Sequence, residues 1–197
     1  MDAVLLRPLP LEDPDRVVVV RESFLPALPD SSVASGKYLN WQRRATSFQS
    51  LGSLGATSFN LTGAGPPVHL HAAHITAGVL PTLGLRPLLG RNFRPEEQLP
   101  REQTSVAILG FALWQSLFQG RRDILQQSIE LNGRRHLVVG VLPPDSGLPD
   151  WAQLFAPGTF GPVDERNYAG WHACYVVGRL KAGVTARAGR TRAARAG

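Results

Sequence analysis

A mixed α+β fold of two small layers is what this sequence predicts, and three observations carry the expectation. Short apolar, β-branched runs recur between turn-forming clusters, as strands do. Two stretches place apolar side chains at three- and four-residue steps, the repeat of one helix face. Helices and hairpins interleave with no regular strand–helix alternation and no internal repeat, which argues against a doubly wound sheet. The 197 residues include 20 glycines and 16 prolines, together about 18% against about 12% in average usage. Elements should therefore be short and turns frequent.

The run Val17-Val18-Val19-Val20-Arg21, bounded by Pro14 and by the Pro26/Pro29 stretch, reads as a buried strand. Over residues 38–51, Tyr38, Trp41, Ala45, Phe48 and Leu51 form one helical stripe, with Gln42, Arg43 and Gln49 on the wet side. Residues 54–61 and 68–75 flank the turn Thr62-Gly63-Ala64-Gly65-Pro66-Pro67 and read as a hairpin. Residues 76–83 suit a short helix, capped by Thr76, ended by Gly84 and limited in length by Pro81. A proline- and arginine-rich connection occupies residues 86–102.

Residues 105–109 then read as a strand, and 111–118 as a helix stopped by Gly120. The plainest hairpin spans 129–142, because Asn132-Gly133 supplies the two positive-φ positions of a type I′ turn. Residues 154–156 form a short strand and 173–180 the last one.

Composition removes several function classes. With one cysteine, Cys174, the chain can hold neither an internal disulfide nor a four-cysteine zinc site. The most apolar stretch, residues 79–89, is broken by Pro81, Arg86 and Pro87, and falls short of the roughly 18–20 apolar residues a membrane helix needs. Asp2 and a short apolar run at the start are unlike a secretory signal. The net charge of +6 invites a nucleic-acid reading, yet four of those charges are Arg187, Arg190, Arg192 and Arg195 in the tail. That tail reads as a basic, disordered terminus or, alternatively, as an arm for nucleic acid or anionic lipid, and no nucleic-acid partner is expected of the body.

Motifs of known chemistry are mostly absent from the sequence. A phosphate-cradling loop with glycine, lysine and hydroxyl at the required spacing is absent, as are a nucleophile elbow and a His-Glu-x-x-His helix. His69 and His71 share a strand face and could offer two imidazoles to a metal, but His74 points to the other face and no acid lies in the segment. A structural role is expected of them; the alternative is a small hydrolase or metal-dependent enzyme using His69 and His71. Cys174 reads as a small buried hydrophobe, and His172, two residues away, is its one local candidate base. Glu96-Glu97 and Asp164-Glu165 read as solvated loop charges beside Arg94 and Arg166. Trp41 and Trp114 belong to the core, Trp151 and Trp171 to loops, and Asn60-Leu61-Thr62 matches a glycosylation acceptor.

Taken in order, several segments resemble the MacB-like periplasmic core domain of ABC-transporter permeases, in the acidobacterial-type permease subgroup. They include Asp2-Ala3-Val4-Leu5-Leu6-Arg7-Pro8-Leu9-Pro10, Asp13-Pro14-Asp15-Arg16-Val17, Tyr38-Leu39-Asn40-Trp41 and Phe59-Asn60-Leu61-Thr62-Gly63. Gly84-Leu85-Arg86-Pro87-Leu88-Leu89-Gly90-Arg91-Asn92-Phe93, Leu131-Asn132-Gly133 and Val176-Val177-Gly178-Arg179-Leu180 continue the series, which covers residues 2–185. The resemblance implies two lobes within a core domain of residues 1–185. One is a porter-like βαβ lobe, about 13–80 plus 165–185; the other is a smaller inserted α/β lobe with a β-hairpin, about 84–160; a basic tail follows at 186–197. It implies an extracytoplasmic, periplasmic location and transmission of conformational change or contact with substrate and partners. The partners implied are the permease's membrane helices and an ABC ATPase subunit, with room for a homodimer. No catalytic residue, cofactor or metal is implied. Membrane helices that the family carries are missing, so the chain reads as a fragment that associates with the membrane only through those segments.

Overall fold

The computed structural model describes residues 13–24, 28–63, 65–99, 105–166 and 172–185. The arginine tail, Trp171 and the first quoted motif lie outside them, as do the side chains of residues 23–30, 172 and 173.

A 3-10 turn, Pro14–Arg16, leads into β1 (Val17–Val20), β2 (Glu22–Phe24), β3 (Leu28–Ser31) and β4 (Val33–Ala34). The helix α1 (Ser35–Arg44) follows, with Tyr38 and Trp41 buried one turn apart and Gln42 and Arg43 in solvent. It ends before the sequence stripe does. Ala45 is extended (φ −72°, ψ 115°), and Phe48 and Leu51 belong to β5 (Phe48–Thr62). The reason is a β-bulge. Against the last strand, Arg179 pairs Ser50 but Leu180 pairs Phe48, so Gln49 is the extra residue. Residues three apart on β5 then reach one face, and the spacing imitates a helix.

β6 (Val68–Ile75) runs back along β5 in the expected register, from Leu61 opposite Val68 to Leu54 opposite Ile75. The short α2 (Val79–Leu83) starts after Gly78 and stops at Gly84, whose φ of 70° only glycine adopts freely. Thr76 is not its side-chain cap. Its hydroxyl oxygen accepts the Ser53 amide at 2.9 Å and lies 3.1 Å from the buried Tyr38 hydroxyl, so only its carbonyl serves α2.

Next come β7 (Leu89–Gly90), a 3-10 turn at Pro95–Gln98, β8 (Val106–Leu109), α3 (Phe111–Phe118) and a 3-10 turn at Arg122–Gln126. β9 (Ser128–Leu131) and β10 (Arg134–Val141) flank Asn132 (φ 50°) and Gly133 (φ 76°), the two left-handed positions of the expected turn. β11 (Leu154–Pro157), α4 (Pro162–Arg166) and β12 (His172–Leu180) complete the described chain.

The main sheet runs β1-β12-β5-β6-β11-β8-β10-β7, with β4 added beside β12; β2 and β3 form a separate hairpin. β12 inserts between β1 and β5 and brings the end of the fold back to its start. The Arg16 guanidinium reinforces this return, donating to the Leu180 carbonyl at 2.9 and 2.7 Å. β1 lies at the end of that sheet order, so the buried strand expected at 17–21 is half-exposed, with Val19 at 51%. β9 pairs on both sides, with β10 and with the far end of β5. That double pairing closes β5, β6, β11, β8, β10 and β9 into a ring.

Side chains alternate across this sheet. Leu70 and Ala72 point into the ring, where they meet Leu61, Leu131, Val138 and the α3 residues Leu113 and Trp114. Ala73 and Ile75 point outward to α2, sharing a core with Val79, Leu80, Phe93, Val106, Ile108 and Phe155. A third group, Val33, Tyr38, Trp41, Phe48, Cys174, Val176 and Leu180, lies under α1. Among the described residues no helix is long and apolar enough to cross a membrane.

Candidate functional site

A cavity of about 480 Å³ opens on the α1 side of the sheet, where β12, β5 and β6 run side by side. Ser53, Gly55, His74 and Cys174 line it from the strands, Ser35 from α1, and Thr76 from the end of β6. Gly158, Thr159 and Phe160, from the segment that links β11 to α4, and Asp164 of α4 close it. Phe160 stacks obliquely on Tyr38, their ring centres 5.5 Å apart, and the Ser35 hydroxyl donates to the Asp164 carbonyl at 3.2 Å.

Cysteine, histidine and aspartate on one cavity wall are the residue types of a nucleophilic relay, so their geometry decides the matter. His74 Nδ1 lies 3.1 Å from the Pro157 carbonyl, which takes its N–H. An Asp164 carboxylate oxygen accepts the Gly161 amide at 2.9 Å. Cys174 precedes Tyr175, which pairs with Leu54 of β5, and His74 pairs with Gly55 on the other side of that strand, so the two lie two strand spacings apart, about 10 Å between backbones. Burial pushes the Cys174 thiol up, against a lowering hydrogen bond with Ser53. Packing pushes the His74 imidazole down, against the Pro157 carbonyl. Cys174 is therefore a neutral thiol at ordinary pH, held away from the imidazole. Burial likewise lifts the Tyr38 phenol to about 12, with the Thr76 hydroxyl pulling the other way.

The remaining candidates scatter. His69 and His71 sit together on the opposite face from the cavity, their ring centres 5.6 Å apart, while His74 faces the cavity. Among the described residues no group of three or more histidine, cysteine or acidic side chains is placed to hold a metal. Trp41 and Trp114 are each 7% exposed, and the Trp114 indole donates to the Arg121 carbonyl at 3.0 Å. Trp151 is half-exposed.

The acidic pairs differ from expectation. Glu97 is not a solvated loop charge: its carboxylate takes two hydrogen bonds from Arg91, at 2.7 and 3.0 Å, and one from the Arg94 amide at 2.8 Å. Burial works to raise its pKa, but these donors outweigh it and hold the carboxyl below its ordinary range. Asp164 and Glu165 lie on α4 rather than in a loop, and Glu165 pairs with Arg43 of α1. Sequence reasoning also missed Ser35, Ser53 and Thr76, small polar residues whose convergence no local pattern announces.

Comparison with known proteins adds a frame to this geometry. The family model described as MacB-like periplasmic core domain matches residues 6–196. The periplasmic region of MacB from Actinobacillus actinomycetemcomitans is similar in structure, with a TM-score of 0.67 at 13% identity, covering 92% of this chain and 82% of that one. A permease-protein domain from Porphyromonas gingivalis gives 0.60 at 18% identity, over 88% of this chain and 76% of that one. The extracellular domain of the ABC-type transporter YknZ from Gram-positive bacteria gives 0.56 at 15%, over 91% and 89%. No curated protein matches the sequence.

Proposed function

The chain belongs to the MacB-like periplasmic core domain family, and from that premise we propose that it is a non-catalytic, extracytoplasmic domain of an ABC-transporter permease that transmits conformational change. The observation that carries this reading is the sheet. We divide the domain into a porter-like half, 13–80 plus 165–185, and an inserted half, 84–160. β5 and β6 serve both: one end of β5 lies against β12 and its far end closes the ring through β9. A displacement of one half reaches the other through hydrogen-bonded strands and a shared core, not through a loose linker. The cavity lies under the segment that carries the chain from the inserted half back to β12, which leaves volume into which this seam can close.

The partners of such a domain are the permease's membrane helices and an ABC ATPase subunit, and the exposed strand ends and loops are surfaces for substrate or partner contact. The test uses the complete permease with its ATPase in membrane vesicles. The Ala77 amide of one half donates to the Gln98 side-chain oxygen of the other at 2.8 Å, so A77C/Q98C in a C174S background accepts a short reducible cross-linker that pins the halves together. Transport should fall on cross-linking and return on reduction. Full transport through the pinned domain contradicts the reading, as does turnover by the isolated chain that C174S or H74A removes.

A further inference from the structure

We propose that His69 and His71 form an open, two-imidazole binding site for a divalent transition-metal ion on the sheet face opposite the cavity. Both side chains are exposed on β6 with one residue between them, and their rings meet edge to face with centres 5.6 Å apart. A metal about 2 Å from one nitrogen of each ring, at a tetrahedral angle, separates the ring centres by about 5 Å. The observed pair needs a small side-chain rotation to close on an ion. Water fills the remaining positions, so the site is a binding site and not a closed structural one.

The surroundings prepare His69 for this role. Asn60 lies directly opposite it on β5, and the Asn60 side-chain oxygen is 3.0 Å from His69 Nδ1. That oxygen is an acceptor only, so Nδ1 carries the proton and Nε2 presents its lone pair outward. Histidine ligands are commonly oriented in this way by a hydrogen bond from the other ring nitrogen. Asn60 is itself held: its amide donates to the Asn132 side-chain oxygen at 2.8 Å, and its carbonyl accepts the Asn132 amide at 2.9 Å. On the other flank Gln153, the residue before β11, steadies His71, whose amide donates to the Gln153 side-chain oxygen at 3.2 Å and whose carbonyl accepts the Gln153 amide at 2.9 Å. Asn60 of β5 thus fixes the tautomer of one ligand, and Gln153 holds the backbone of the other.

Imidazole donors favour Cu²⁺ over Ni²⁺ and Co²⁺ and leave Mg²⁺ and Ca²⁺ unbound. The site is independent of the transport reading and of the cavity. The test is calorimetric titration of the untagged chain with Cu²⁺, Zn²⁺ and Mg²⁺ in a non-chelating buffer. One Cu²⁺ per chain should bind tightest and Mg²⁺ not at all. H69A and H71A should each remove the binding, N60A should weaken it by about tenfold or more, and H74A should leave it intact. On the unaltered protein, Cu²⁺ should broaden the amide signals of residues 58–62 and 69–71 before any others. Absence of binding, equal binding in the H69A/H71A double variant, or broadening centred elsewhere overturns the proposal.

Discussion

The buried His136 and the more exposed His74 at the cavity wall make the folded chain sensitive to acid. His74 and His136 both stand below the ordinary imidazole pKa, chiefly because packing disfavours the charged ring, with the Pro157 and Arg134 carbonyls opposing. Between those depressed values and the unfolded value of about 6.5, the unfolded chain binds more protons than the folded one. Stability is therefore full above that window and falls as pH drops through it. Urea midpoints should decline on acidification from about pH 7.5 to about pH 5, and H74Q/H136Q should flatten the decline; a wild-type midpoint no more acid-sensitive than the variant's would contradict this. Cys174 gives a second expectation at this scale. Buried and with its thiol pKa raised, it should alkylate far more slowly in the native protein than in urea, whereas equal rates would reveal an activated thiol. Single residues were unevenly legible in the sequence. Trp41 and Trp114 announce their burial by helical spacing, but Glu97 finds its partner inside an irregular segment, where no periodicity points to Arg91.

Elements here are set by where backbones come close. α2 lies on β5 at Gly52, where an added Cβ would fall 2.5 Å from the Val79 Cα. G52A must push the helix off the strand, and should lower the unfolding free energy by about 1–3 kcal/mol in urea titration. The β9–β10 turn depends on left-handed backbone at Asn132 and Gly133, so G133A should cost about 1 kcal/mol. N132A should cost a similar amount for a different reason, since it leaves the Asn60 amide without its side-chain acceptor. An unchanged midpoint in G52A would mean that α2 is not seated as described. Hairpins were the most readable elements, because a turn such as Asn132-Gly133 is local chemistry. The end of α1 was not readable: the bulge at Gln49 puts Phe48 and Leu51 on one face and disguises a strand as another helical turn.

At the scale of the molecule, the fold class followed from interleaved hairpins and helices, but the ring did not. Its closure depends on Leu61 meeting Leu131 and Thr62 meeting Glu130, pairings that no local pattern encodes. The cavity was hidden for the same reason: its walls come from separate stretches around residues 35, 53, 74, 160 and 174. Both features join distant parts of the chain, and both lie where the two proposed halves meet. In the proposed function these halves shift against each other as the transporter works. Spin labels at Gln42 on α1 and Arg134 on β10, both exposed, in the complete permease with Cys174 replaced by serine, measure that directly. Pulsed dipolar spectroscopy should give different label separations in the nucleotide-free and nucleotide-bound transporter. One unchanged separation in a transporter shown to be turning over would contradict the account.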